Sequence, residues 1–161
     1  MRCAIALAFG LLLVCPARAE TDVFMRAVGF ALTGNDDVEP KTIDRSNCVF
    51  ATGKGIFHLN NVYIDRITIH GWQQRAYSGL EQWVAVSLHG DDVVVEETTE
   101  PLKDDGSEIM REMRRTDPSL FQPKHHMLKE HVLRLETSDQ DRVRRAWAYI
   151  YSHGCVGQKT R

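Results

Sequence analysis

Cysteine and histidine are the residue types whose placement here could do chemistry. The four cysteines are Cys3, Cys15, Cys48 and Cys155. No two of them share CxxC spacing, so neither a redox motif nor half of a zinc site is written into the chain. Of the seven histidines, His125, His126 and His131 lie close together, while His58, His70, His89 and His153 are scattered. His125 and His131 could be neighbours only if one strand extended across both. Zinc wants three or four well-placed ligands, and neither HExxH nor HxH occurs. Surface histidines are the default, and neither a metal site nor a cofactor is expected.

Nucleophilic catalysis has little to start from. Ser78 and Ser87 sit in no GxSxG elbow, and Gly53-Lys54-Gly55 is too short for a phosphate-binding loop and precedes a strand. The acid pairs Asp36-Asp37, Asp91-Asp92, Glu96-Glu97 and Asp104-Asp105 read as solvated turns, and Lys103–Glu108 is too short for a twelve-residue calcium loop. Arg111, Arg114 and Arg115, with Lys124 and the arginines near the C-terminus, could form a positive patch. It lacks the interleaved aromatics of a nucleic-acid groove. Trp72 and Trp83, flanking a polar stretch, are the best candidates for a ligand or partner contact; the competing reading places both in the core.

The elements that must position these residues begin with a leader. Arg2, an apolar run over Ala4–Val14 and the small-x-small site Ala17-Arg18-Ala19 read as a signal peptide, residues 1–19, too short to span a bilayer. Cleavage there leaves one globular domain, residues 20–161. The formal net charge goes from −2 to −4, because the leader holds two arginines and no acid. A mildly acidic surface exerts no general pull on nucleic acid or anionic lipid. Cys3 and Cys15 leave with the leader, so an oxidising compartment offers Cys48 one intramolecular partner, Cys155; two free thiols or intermolecular pairing are the alternative. The chain-entropy account assigns such a long loop about 4–5 kcal/mol as an upper figure.

Ser138–Cys155 predicts an amphipathic helix. Ser138 or Asp139 caps it, Val143, Trp147, Ile150 and Tyr151 form its apolar face, and Gly154 ends it in a left-handed conformation. Glu20–Thr33 reads as helix, with a buried strand over Val28–Leu32 as the alternative. Strands are expected over Ile43–Thr52, Ile56–Leu59, Val62–Trp72 with a bulge near Asp65-Arg66, Gln82–His89, Val93–Val95 and Met127–Glu136. Gln73–Gly79 reads as a polar loop, and Ser107–Arg115 as a short helix. The expected class is α+β: a mostly antiparallel, bent six-stranded sheet packed by a C-terminal helix, with one disulfide. A bent sheet plugged in this way would resemble a pleckstrin-homology-like barrel in element order alone.

The phrases TGNDD (33–37), IDRSNCVF (43–50), FHLNNVYIDR (57–66), LHGDDVV (88–94) and DQDRVRRAWAYIYSHGC (139–155) together resemble a group of small exported proteins of alphaproteobacteria. The resemblance implies an envelope location and a single shared domain, and assigns no functional residue. The expected function is a non-enzymatic periplasmic or secreted binding module. Its partner would be an envelope protein or a small ligand, with no nucleic acid and no transmembrane segment in the mature chain. Two other readings stand beside it. One is an envelope hydrolase using a histidine–carboxylate pair, such as His70 or His89 with an acid from an adjacent turn. The other is a structural or stress-related envelope protein.

Overall fold

The computed structural model describes residues 16–160 apart from Ser78, with side chains from Asp22 onward. Helix α1 (Pro16–Thr33) is followed by β1 (Lys41–Asp44), β2 (Val49–Thr52) and β3 (Gly55–His58). After two single 3-10 turns come β4 (Thr68–Ala76), β5 (Gly79–His89) and β6 (Val95–Thr99). Then follow α2 (Glu108–Thr116), β7 (Lys124–Leu128), β8 (Glu130–Leu135) and α3 (Gln140–His153). The leader expected over 1–19 lies outside the described residues as far as Cys15; Pro16–Ala19 form the first turn of α1.

The α+β class holds, with a different sheet arrangement. Instead of one six-stranded sheet, the described residues form two antiparallel sheets and no closed barrel: a five-stranded one, ordered β1-β2-β3-β6-β7, and a three-stranded one, ordered β4-β5-β8. Their side chains meet α1 and α3 in one hydrophobic cluster. Phe24, Val28, Ala31 and Leu32 enter it from α1, and Val143, Trp147 and Ile150 from α3. Phe50, Phe57 and Val95 come from the larger sheet, and Val84, Val86, Leu88, Leu133 and Leu135 from the smaller. Both helices have the apolar stripe that such burial requires.

Four local expectations are corrected. The strand read over Ile43–Thr52 is two strands, because the Asp44 carboxylate accepts from the amide and hydroxyl of Ser46 and from both the backbone and side-chain nitrogens of Asn47. That turn breaks the strand, and the same donors hold the Asp44 carboxyl down to about 2. In place of a bulge, Ile64–Arg66 makes a 3-10 turn. The single strand read over Met127–Glu136 is divided at Lys129 between the sheets: β7 pairs with β6, and β8 with β5. The chain also changes sheet between β5 and β6, and the two crossings are tied by Gly90 N to Lys129 O and Val94 N to Leu128 O. A Cβ on Gly90 would stand 2.3 Å from Asn61 O, so this corner needs glycine. Lastly, α3 does not end on a left-handed glycine. Gly154 has φ −171°, and a Cβ there would meet the Phe24 ring at 2.5 Å.

Asp139 is the cap of α3, accepting from Arg142 N at 2.8 Å. Just beyond the helix, Cys155 is bonded to Cys48, their Cα atoms 5.7 Å apart. Cys48 has φ 53°, a conformation a non-glycine residue adopts only when its surroundings impose it. The bond joins the turn before β2 to the tail of α3. Among the described residues, no helix is long and apolar enough to cross a membrane.

Candidate functional site

Of the stretch Gln73–Gly79, expected as a loop, Gln73–Ala76 and Gly79 are strand and Tyr77 is turn. β4 and β5 pair without interruption from Thr68↔Ser87 to Ala76↔Gly79. β8 covers β5 only from Val84↔Leu135 to His89↔Glu130. Beyond Val84 the sheet therefore narrows to a two-stranded ribbon, Trp72–Ala76 with Gly79–Trp83, and none of its described residues is buried. A polar ribbon carries no alternation of apolar and polar residues, so its sequence looks like loop.

Trp72 and Trp83 are cross-strand partners on this ribbon. Their rings stack with centroids 5.6 Å apart and planes 10° from parallel. The Arg134 guanidinium lies over the Trp83 ring at 4.6 Å and reaches Glu81 at 3.4 Å. The result is a three-tier stack across β8, β5 and β4, with Trp83 in the middle and Trp72, 53% exposed, on the outside. Such a pair contributes about 0.5–1.5 kcal/mol beyond area burial, which a two-stranded ribbon needs in order to hold its shape. The Trp83 indole nitrogen is shielded from water and has no hydrogen-bond partner among the described residues.

Beside the stack, Lys54, Glu81, Gln82, Trp83, Arg134 and Glu136 line an open cleft of about 600 Å³. Lys54, from the turn between β2 and β3, crosses to the smaller sheet and donates to the Arg134 carbonyl at 2.6 Å. Burial holds its ammonium below the usual lysine range; Glu136 opposes that shift and Arg134 adds to it. The hairpin lysine thus has a role that its sequence did not signal.

The histidines form a second constellation at the base of β6. One Glu96 oxygen meets His58 Nε2 at 2.5 Å and the other meets His125 Nε2 at 3.3 Å, while Thr98 Oγ1 lies 3.3 Å from His125 Nδ1. On the opposite face of β6, Glu97 meets His131 Nδ1 at 3.2 Å. Burial holds the His131 imidazole below its ordinary value; Glu97 opposes this and Lys54 adds to it. His125 and His131 lie on strands of different sheets, so they do not share a face as one continuous strand would allow. His89 Nδ1 lies 3.6 Å from Glu130 of the neighbouring strand β8, not from a turn acid, and His70 forms no ion pair among the described residues. Among those residues no group of three or more metal-ligating side chains is placed to hold a metal ion.

Thr98, His125 and Glu96 have the order of a hydroxyl–imidazole–carboxylate relay, but they stand on an exposed sheet face where water screens the charges that would activate the hydroxyl. Their structural role is clearer. From Glu96 to Val132 no residue is buried, so histidine–glutamate pairs fasten the base of this excursion where apolar packing does not.

No protein-family model, no curated protein and no solved structure matches the chain.

Proposed function

We propose that the protein is an exported, non-enzymatic binding module that recognises another protein of the cell envelope through the β4–β5 ribbon. The observation that carries this reading is the Trp72–Trp83–Arg134 stack, held outside the core on a ribbon none of whose described residues is buried. Tryptophan, tyrosine and arginine are the residues that most often dominate the energy of protein interfaces. Here they gather at one end of the molecule, with Tyr77 fully exposed at the tip. A stack already in place also lowers the ordering cost of association. Export is supported by the leader sequence and by the Cys48–Cys155 bond, which belongs to oxidising compartments. The resemblance to small exported proteins of alphaproteobacteria points the same way.

The test is a photo-crosslinking residue at Tyr77 in cells that export the protein. We expect one dominant adduct in the envelope fraction, displaced by excess wild-type protein and not by Trp72→Ala protein. Absence of any adduct, or equal displacement by both competitors, would overturn the reading. N-terminal sequencing of the same material should begin at Glu20.

A hydrolase is the second reading, and the Thr98–His125–Glu96 order is the specific observation in its favour. It predicts turnover of chromogenic esters that disappears in His125→Ala. Equal rates for both proteins would end it.

A further inference from the structure

The other projecting part of the molecule is the arm between β6 and β7, residues 100–123. Several of its contacts are internal. Arg114 pairs with Asp104 at 3.0 Å and lies 4.6 Å over the Phe121 ring, while Leu102 N donates to Leu120 O. Ser107 caps α2, and Arg111 donates to the Gly106 carbonyl. Arg111 and Arg114 are thereby engaged within the arm. Glu108, Ile109, Glu112, Met113 and Thr116, at helical spacing, line an open groove of about 660 Å³ together with Asp117 and Leu120. No residue of α2 is buried, and Ile109 is 72% exposed.

We infer that this groove is a docking site for a short cationic amphipathic helix of a partner protein. Charge complementarity selects that occupant: an apolar floor of Ile109, Met113 and Leu120 is rimmed by Glu108, Glu112 and Asp117. Two cations act on these acids from outside the lining: Arg115 pairs with Glu112 at 2.8 Å, and Lys124 lies close enough to Asp117 to stabilise its charge, which leaves Glu108 without a cation among the described ion pairs. The hydroxyl and amide of Ser119 each donate to Asp117 and, with the charge of Lys124, hold its carboxyl below the usual aspartate value. Ile109 and Met113 are four residues apart, the spacing at which one helix offers a ridge to another. Methionine adapts to unlike side chains, which suits a groove taking a peptide. An anionic lipid surface would meet the same acids and be repelled. This site is separate from the ribbon and does not depend on it.

The experiment is a fluorescence-anisotropy titration of the full chain. The probe is a labelled peptide of about 14 residues, four helical turns, with leucines along one face and lysines beside them. We expect saturable binding that weakens with salt. Ile109→Ser with Met113→Ser should weaken it at least roughly tenfold. Glu108→Gln with Glu112→Gln should weaken it and flatten the salt dependence. Trp72→Ala should leave it unchanged, so that failure here and failure of the ribbon reading are separable. None of these side chains is buried, and far-ultraviolet dichroism would confirm that each variant is folded. The inference is overturned by equal binding of a peptide with glutamates in place of lysines, or by groove variants that bind like wild type. It is also overturned if sedimentation shows a dimer broken by the Ile109 variant, or if anionic vesicles carry the protein in an Ile109-dependent way.

Discussion

Val84, Val86 and Leu88 at one end of β5 are fully buried, while Gly79 to Gln82 at the other end of the same strand are exposed. Both halves pair with β4 in unbroken register. What separates them is β8, which reaches Val84 and goes no further. The covered half is worth about 1.5–3 kcal/mol for each large apolar side chain it hides. The uncovered half carries Leu80, Glu81, Gln82 and one tryptophan, Trp83, whose stacking partner Trp72 comes from β4. Strand pairing alone therefore does not make a residue structural; a covering layer does.

The largest effect should come from cutting the tie that holds the covered region together. Replacing Cys48 and Cys155 by serine should lower the unfolding free energy by up to about 5 kcal/mol, read by urea titration. Wild-type protein should lose a similar amount on reduction. Next comes a pair of substitutions within β5 itself. Leu88→Ala should cost about 2–5 kcal/mol, the range for a buried leucine, and Leu80→Ala no more than about 0.5 kcal/mol. Similar costs at the two positions would break the comparison.

Trp72→Ala sharpens it from the other side. The loss of one stacking partner should cost about 1 kcal/mol in stability while abolishing displacement of the Tyr77 adduct. The smallest effect concerns the histidine pairs of β6. Because burial keeps the folded-state His131 pKa below the ordinary 6.5, the unfolded chain takes up this proton first. Stability should fall as pH drops from 6.5 toward the folded-state value and level off below it. Denaturation midpoints between pH 7.5 and about 5 would show this, and His131→Gln should flatten that part of the profile.

Sequence reasoning reached the parts of this molecule governed by strong, local signals. Asp139, the Val143–Trp147–Ile150 stripe and the Cys48–Cys155 pairing are each written in residue type and spacing, and the structure carries all three. Trp72 and Trp83 were legible only as candidates for a ligand or partner contact; that they stack on each other depends on a register that no sequence period reveals. The ribbon was missed because a strand that buries neither face has no reason to alternate. The division at Lys129 was missed because a change of sheet leaves the apolar run through Val132, Leu133 and Leu135 intact. His58, Glu96 and His125 are far apart in sequence and meet only through the β3–β6–β7 ladder, so no motif could announce them.

The account stands most directly on the claim that β5 is one strand with a structural half and a presented half. Amide hydrogen exchange read residue by residue along β5 tests it. We expect Val84–Leu88 to exchange only on global unfolding, and Leu80–Gln82 to exchange through local opening, with protection at least roughly a hundredfold lower. Equal protection along the whole strand would place the ribbon in the core unit and contradict the account.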